Sequence, residues 1–309
     1  MKTRLFIIFV MFSVIAVGIS SCGTQATNPP AAAPTDKPGN TPTPDLKNDP
    51  RVKIVLDMVA KLNAGDVDGS LAYFSDDAMS YFIGMPPTGI EVYRGGEGLR
   101  PTWEYAVGDN FRWEVEIESV EYDNVKANTH TYMNFTEQLG VAPNDFVEYF
   151  HVEDGKITNY ASVMTEESLA EFKPALLAVM PMEPSQPSTE APVSELTVTY
   201  ADGTCSTPGP LVLKAGEIKV NAIVEDTSQE KYAISLFTLD DGKDMVDLMS
   251  SSMRSAPPAW SKTILLKELL PGETKDYTLN IEEGMVYLLC WARPFDLPIG
   301  NAGPFEVKP

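Results

Sequence analysis

DFVEYFHVEDGKITNYASVM, Asp145 to Met164, reads as two strands joined by a turn. Side chains alternate along a strand. Phe146, Glu148, Phe150 and Val152 therefore share one face, and Val147, Tyr149, His151 and Glu153 the other. Asp154-Gly155 is a hairpin turn signal, and Ile157 to Met164 runs back with the same alternation. Upstream the period is also two. Phe111, Trp113, Val115 and Ile117 alternate with Arg112, Glu114, Glu116 and Glu118. After the turn at Asp123-Asn124, Val125, Ala127, Thr129, Thr131, Met133 and Phe135 alternate with Lys126, Asn128, His130, Tyr132, Asn134 and Thr136, and Leu139 to Asn144 forms the next turn. The result is a four-strand antiparallel meander with one apolar face and one polar face.

Ahead of the meander the period is helical. Asp49 is suited to an N-cap and Pro50 to the first helical position. Val52, Val55, Leu56, Val59 and Leu62 then fall on one face, and Gly65 ends the helix. Gly69 to Phe74 starts a second short helix that Asp76-Asp77 closes. Ala78 to Ile83 reads as a short strand and Met85 to Gly89 as a loop. Gly95 to Val107 reads as a helix carrying Trp103, with Pro101 inside it. Helices followed by a meander make an α+β pattern in which the helices cover the apolar face.

The chain has 309 residues and a formal net charge of −21. The length suggests about two domains, and the charge argues against nucleic acid, whose phosphates need a basic surface. At the N-terminus, Lys2 and Arg4 precede the apolar run Leu5 to Gly18 and then Ile19-Ser20-Ser21-Cys22. The run is shorter than the roughly 20 residues of a membrane span and fits a secretory signal. Ile-Ser-Ser-Cys resembles the lipobox of bacterial lipoproteins. That resemblance implies cleavage before Cys22 and a diacylglycerol thioether on its sulfur, so residues 1–22 are read as a lipoprotein signal peptide. Residues 23–48, with Pro29, Pro30, Pro34, Pro38, Pro42 and Pro44, have no apolar periodicity and read as an extended tether. The expected location is the cell surface or the periplasmic side of a bacterial membrane, held there by lipid.

Residues 49–180 then form the first domain and 181–194, with four more prolines, a linker. Residues 195–309 form a second domain. Its strand patterns are Leu196–Tyr200, Ile218–Val224, Tyr232–Leu239, Lys262–Lys267, Lys275–Ile281, Met285–Trp291 and Pro304–Val307, with one helix within Asp241–Ser252. Many short strands with Gly/Pro turns read as a β-sandwich. Cys205 and Cys290 both lie in it, in a compartment that permits disulfides. A bridge between them is expected, with two buried thiols as the alternative.

Two further resemblances follow. AGDVDGSLAYFSDDA (64–78), the Pro-rich loop with Gly95, and VEDGKI (152–157) resemble the nuclear transport factor 2-like superfamily, in particular its SnoaL-like and ketosteroid-isomerase branches. The resemblance implies a cone-shaped α+β barrel in which helices and a curved antiparallel sheet enclose an apolar pocket. Carried over position by position, the isomerase general base falls at Phe82, its helical tyrosine at Met58, and its second acid at Glu148. Isomerase chemistry needs a base together with an oxyanion site, and here the base position is a phenylalanine. In the second domain, PLVLKAGEIKVNAIVED (210–226) and EGMVYLLCWARPFDLPIGNAGPFEV (283–307) look like a cupredoxin-type Greek-key sandwich. A blue-copper site needs histidine. The chain's two histidines are His130 and His151, both in the first domain, so no copper, cofactor or metal is expected.

Strand parity places the pocket candidates at Phe82, Trp103, Thr129, Thr131, Met133, Phe135, Phe146, Glu148, Phe150, Tyr160, Ser162 and Met164. A few polar groups converging in an apolar cavity mark a small-molecule site. Glu148 is its expected polar focus, buried, with a raised pKa. Three functions compete: binding of a small apolar or amphipathic ligand, an isomerase, cyclase or dehydratase using Glu148 with Tyr160 or Tyr81, and a structural surface protein with a filled core. The outer sheet face is a candidate homodimer contact. If the turn centres between Gly140 and Val141, His130 and His151 oppose each other there and could bind a metal or sense pH. Otherwise they are surface histidines beside Tyr132 and Tyr149.

Overall fold

Asp49 caps the first helix, α1 (Pro50–Asn63), by accepting a hydrogen bond from the Arg51 backbone N–H. Its apolar stripe, Val52, Val55, Met58, Val59 and Leu62, is buried. The description comes from a computed structural model covering residues 46–86, 88–180, 189–209, 211–251, 257–293 and 295–309. The signal segment with Cys22, tether residues 23–45 and linker residues 181–188 lie outside the described residues. No described helix is long and apolar enough to cross a membrane.

After α1 come α2 (Val67–Leu71), the strands β1 (Phe74–Met85) and β2 (Gly89–Arg94), and α3 (Gly95–Gly108). The meander consists of β3 (Arg112–Glu121), β4 (Asn124–Tyr132), β5 (Asn144–Glu153) and β6 (Lys156–Met164), with α4 (Asn134–Leu139) between β4 and β5. α5 (Glu166–Val179) closes this part. The strands form one six-stranded sheet in the order β2-β1-β6-β5-β4-β3. All neighbours are antiparallel except β1 and β6, which run parallel. Helices α1 and α3 pack on one face through Leu62, Leu99 and Trp103, against Phe150, Ile157 and Tyr160 of the sheet.

Several sequence expectations need correction. Asp76-Asp77 does not close a helix; the strand starts at Phe74, and both aspartates sit in an irregular stretch of β1 before its pairing with β6 resumes at Met79. The expected loop Met85–Gly89 does connect two strands, and the one that follows it, β2, is the element the local pattern did not mark. The strand alternation read through Thr136 stops at Tyr132. There the Met133 backbone N–H donates to Thr136 Oγ1, α4 starts, and Gly140 at φ 74° ends it. That extra helix resets the β4–β5 register: His130 lies opposite Asp145, and His151 opposite Asn124. The two histidines are thus six strand positions apart, about 20 Å at 3.3–3.4 Å per residue. Each has a partner of its own, Asp145 at 2.7 Å and Asn124 at 2.8 Å, so a shared histidine site is ruled out. Among the described residues no group of three His, Cys, Asp or Glu is placed to hold a metal.

The C-terminal part is largely β-sheet. One sheet, in the order β13-β10-β7-β8, holds β7 (Glu195–Ala201), β8 (Thr204–Ser206), β10 (Gly216–Val224) and β13 (Thr274–Ile281). The other, β12-β11-β14-β15-β9, holds β9 (Val212–Lys214), β11 (Tyr232–Leu239), β12 (Ser261–Leu269), β14 (Gly284–Ala292) and β15 (Leu297–Lys308). The sheets share an apolar core, with Leu196, Val198 and Val220 from one and Ile234, Leu236 and Leu288 from the other. Cys205 on β8 and Cys290 on β14 form a disulfide across it, with Cα atoms 6.2 Å apart. A short helix, α6 (Met245–Ser250), follows β11.

Residues 45–309 form one compact unit, because the β1–β6 part of the sheet's second face is apolar and packs into the C-terminal core. Met79, Tyr81 and Ile83 of β1 and Ala161 and Val163 of β6 join the core of the C-terminal sheets. Tyr81 Oη donates to the Gly203 carbonyl at 3.0 Å within that junction. α6 lies against β1 and β2, where Gly84, at φ 79°, has no room for a Cβ beside Ser250. α5 and α6 are clasped by Lys173, whose Nζ is 2.7 Å from Asp244 and 2.9 Å from Asp247.

Candidate functional site

The register lays one row of residues across the helix-covered face of the sheet: Glu91 on β2, Phe82 on β1, Ser162 on β6 and Glu148 on β5. Directly paired residues project from the same face, so two carboxyl groups flank a phenylalanine and a serine. Three strand spacings separate them, about 14 Å between Cα atoms.

Glu148 is 1% exposed. Its Oε1 accepts hydrogen bonds from Tyr160 Oη and Ser162 Oγ, both at 3.1 Å. Burial disfavours the charged form, and it pushes the carboxyl up to about 8, against the opposing pull of the Tyr160, Ser162 and Thr129 hydroxyls. Glu148 is therefore mostly a neutral acid at pH 7. With Oε1 taken by two donors, the proton belongs on Oε2, which has no partner among the described residues. The Thr129 hydroxyl is near enough to act on the charge, yet it makes no hydrogen bond of normal geometry. Burial and the adjacent Glu148 charge both hold the Tyr160 phenol well above the usual range.

A cavity of about 670 Å³ opens on this row. Glu148, Tyr160, Ser162 and Met164 form part of its floor, with Phe82, Thr131, Met133, Phe135 and Phe146 beside them. Trp103, Thr102 and Ala106 of α3 form a wall, and Phe172 and Leu176 of α5 another. Tyr105 and Met180, 63% and 61% exposed, mark the mouth. Phe82 meets Tyr160 and Tyr93 edge-on, each at 5.7 Å between ring centroids. A slightly larger depression, about 710 Å³, lies among Asp240, Asp241, Glu282 and Glu283. It is lined by the ends of β11 to β14 and the turns between them and holds none of the candidate residues.

The structure brings Phe82, Trp103, Thr131, Met133, Phe135, Phe146, Glu148, Tyr160, Ser162 and Met164 to one cavity. Phe150 and Thr129 do not line it. Phe150 is fully buried, stacked with Tyr160 at 5.0 Å, and Thr129 is buried beneath the floor. Met58, at the position of the isomerase tyrosine, is core. Tyr81 points to the opposite face and cannot act with Glu148. Sequence reasoning missed Trp113, Glu91, Tyr93 and the α5 residues. Trp113 was findable, since its parity matches Phe111 and Val115. Glu91 and Tyr93 lie on β2, between the expected loop and the expected helix, where local pattern marks no element. There Tyr93 Oη donates to Glu91 Oε2 at 2.6 Å, and burial and that carboxylate together raise the tyrosine's pKa.

These features define the class: an α+β fold of the nuclear transport factor 2-like type with an aromatic cavity. Residues 55–160 match the family model of the SnoaL-like domain, and this part of the chain is a SnoaL-like domain. No match was found among curated proteins. Among solved structures the chain is similar to an NTF2-like protein of unknown function from Cytophaga hutchinsonii, at 17% identity and a TM-score of 0.31, covering 39% of this chain and 94% of that one. It is also similar to a putative polyketide cyclase from Sinorhizobium meliloti, at 16% identity and a TM-score of 0.30, covering 36% and 93%. A third is an epoxide hydrolase/cyclase-like enzyme of pyran-ring formation in salinomycin, at 20% identity and a TM-score of 0.33, covering 38% and 92%.

Proposed function

We propose that this chain is a lipid-anchored extracytoplasmic protein whose SnoaL-like domain binds a small apolar or amphipathic molecule. One observation carries the reading: an aromatic cavity of about 670 Å³ with a buried, neutral carboxylic acid in its floor. A neutral acid in an apolar site can donate to a ketone or hydroxyl that it could not bind as a carboxylate. A protein with a merely filled core would not keep such a volume among its side chains. The lipid on Cys22 and the proline-rich tether place the cavity at the cell surface or the periplasmic side of the membrane. The C-terminal sheets serve as a cupredoxin-like scaffold without copper chemistry. Contact between copies would use the β3–β4 part of the outer sheet face, because the β1–β6 part faces the C-terminal sheets.

The hydrogen bond between Tyr160 and Glu148 favours a second reading, an isomerase- or cyclase-type enzyme with Glu148 as acid. Such chemistry needs a base opposite. The position expected for one is Phe82, so binding is preferred.

The test is a fluorescent apolar probe titrated into the protein and into Thr131→Trp, whose indole would occupy the cavity. Saturable binding that falls about tenfold or more in the variant, about 1.4 kcal/mol, supports the reading. Absence of saturable binding to the parent protein refutes it. The anchor is tested separately. Cys22→Ser should move the protein from the detergent phase to the aqueous phase on Triton X-114 partition, and unchanged partition would remove the lipid from the proposal.

A further inference from the structure

The cavity lining is unusual in its charge. Among the described residues it contains two carboxyl side chains, Glu91 and Glu148, and no lysine, arginine or histidine. Glu148 is deep and held by hydroxyls. Glu91 lies nearer to solvent on the same row, and its side chain is bonded to the Tyr93 hydroxyl at 2.6 Å. Among the described residues it is in no ion pair. Its neighbour Arg94 points away and pairs with Asp202 at 3.4 Å. Tyr93 is bonded to this carboxylate, Phe82 is its direct partner across the β1–β2 pair, and Trp103 and Tyr105 line the same cavity. Aromatic faces carry negative quadrupolar charge and attract cations within about 6 Å of the ring. An acidic group among such faces matches an ammonium group. It opposes a carboxylate or phosphate, which would be desolvated beside like charge with no counter-ion. The whole chain adds to this, since a net charge of −21 attracts cations and repels anions at long range.

We infer that the cavity selects a cationic amphiphile, an organic ammonium on an apolar or aromatic body, with the charge held between Glu91 and the rings beside it and the body lying over Phe82, Tyr160 and Phe146. The inference rests on the binding function proposed above and narrows its ligand class. Glu91 sets the charge preference, and the Tyr93 hydroxyl fixes the orientation of its carboxylate. Glu148 then meets whatever polar group the far end of the ligand carries.

Three probes that share one apolar body separate the possibilities: 1-naphthylmethylammonium, 1-naphthalenemethanol and 1-naphthoate. Equilibrium dialysis is run at pH 7 on the full chain in phosphatidylcholine nanodiscs, with protein-free discs as the blank. The ammonium should bind about tenfold tighter than the alcohol, and the carboxylate weakest. In Glu91→Gln the ammonium should bind within about threefold of the alcohol measured on the same variant. Equal binding of ammonium and alcohol overturns the inference and leaves the cavity's binding role standing. Tightest binding of the carboxylate, or a preference for ammonium that survives in Glu91→Gln, does the same. If even the alcohol does not bind, the binding role fails and the inference with it. The ranking in the parent protein tests the charge preference without any variant.

Discussion

At the scale of the residue, Glu148 carries a definite consequence for stability. In the folded protein it keeps its proton to about pH 8, whereas the ordinary value is 4.5. Between these values the folded state binds more protons than the unfolded state, so this group's contribution to stability falls as pH rises. Glu148→Gln keeps an acceptor for Tyr160 and Ser162 and removes the titration. Relative to the parent protein, the variant should therefore gain about 3 kcal/mol between pH 5 and pH 8. Urea denaturation of both proteins at the two pH values measures it. A difference independent of pH would mean that the carboxyl is not held neutral by burial.

At the scale of the element, the disulfide joins β8 of one C-terminal sheet to β14 of the other. It closes a loop of 85 residues, and a closed loop of that size stabilises by about 4 kcal/mol on the chain-entropy account. Cys205→Ser with Cys290→Ser should lower the unfolding free energy by about 2–5 kcal/mol, read from the shift of the denaturation midpoint at constant slope. A loss below about 0.5 kcal/mol would mean that the sheets hold their spacing without the bridge. The clasp between α5 and α6 is a smaller element-level link. Lys173 bridges Asp244 and Asp247 and so ties the helix that brings Phe172 and Leu176 to the cavity to the C-terminal part.

At the scale of the whole molecule, a continuous apolar core joins the SnoaL-like sheet to the C-terminal sheets. Met79, Tyr81, Ile83, Ala161 and Val163 lie on one side and Leu248, Met249, Leu297 and Ile299 on the other. A fragment ending near residue 180 would expose that first set as one patch, and exposed contiguous apolar surface drives association. The 46–180 fragment should elute as aggregate or oligomer on size-exclusion chromatography, and residues 46–309 should unfold in one calorimetric transition. A monomeric, stable fragment or two separate transitions would show that each part carries its own stability.

Much of this protein follows from local pattern, because side-chain parity and helical period act over a few residues. The sequence alone determined the hairpin from Asp145 to Met164, the capped first helix, and seven of the nine C-terminal strands. It also placed Glu148 on the same strand face as Phe146 and Phe150, so its burial followed once that face was covered. What only the tertiary structure decided depends on partners far away in the chain. Whether Gly89–Arg94 is loop or strand depends on β1 offering it an edge, so Glu91 and Tyr93 could not be assigned to the cavity from sequence. The register of His130 and His151 depends on six residues coiling into α4, which alternation alone does not reveal. The face carrying Met79, Tyr81, Ile83, Ala161 and Val163 is apolar, as is the opposite face carrying Phe82 and Tyr160, so both faces of β1 and β6 ask to be covered. The first is buried because the C-terminal sheets pack against it, and a strand's own sequence says which side chains point together, not what will cover them.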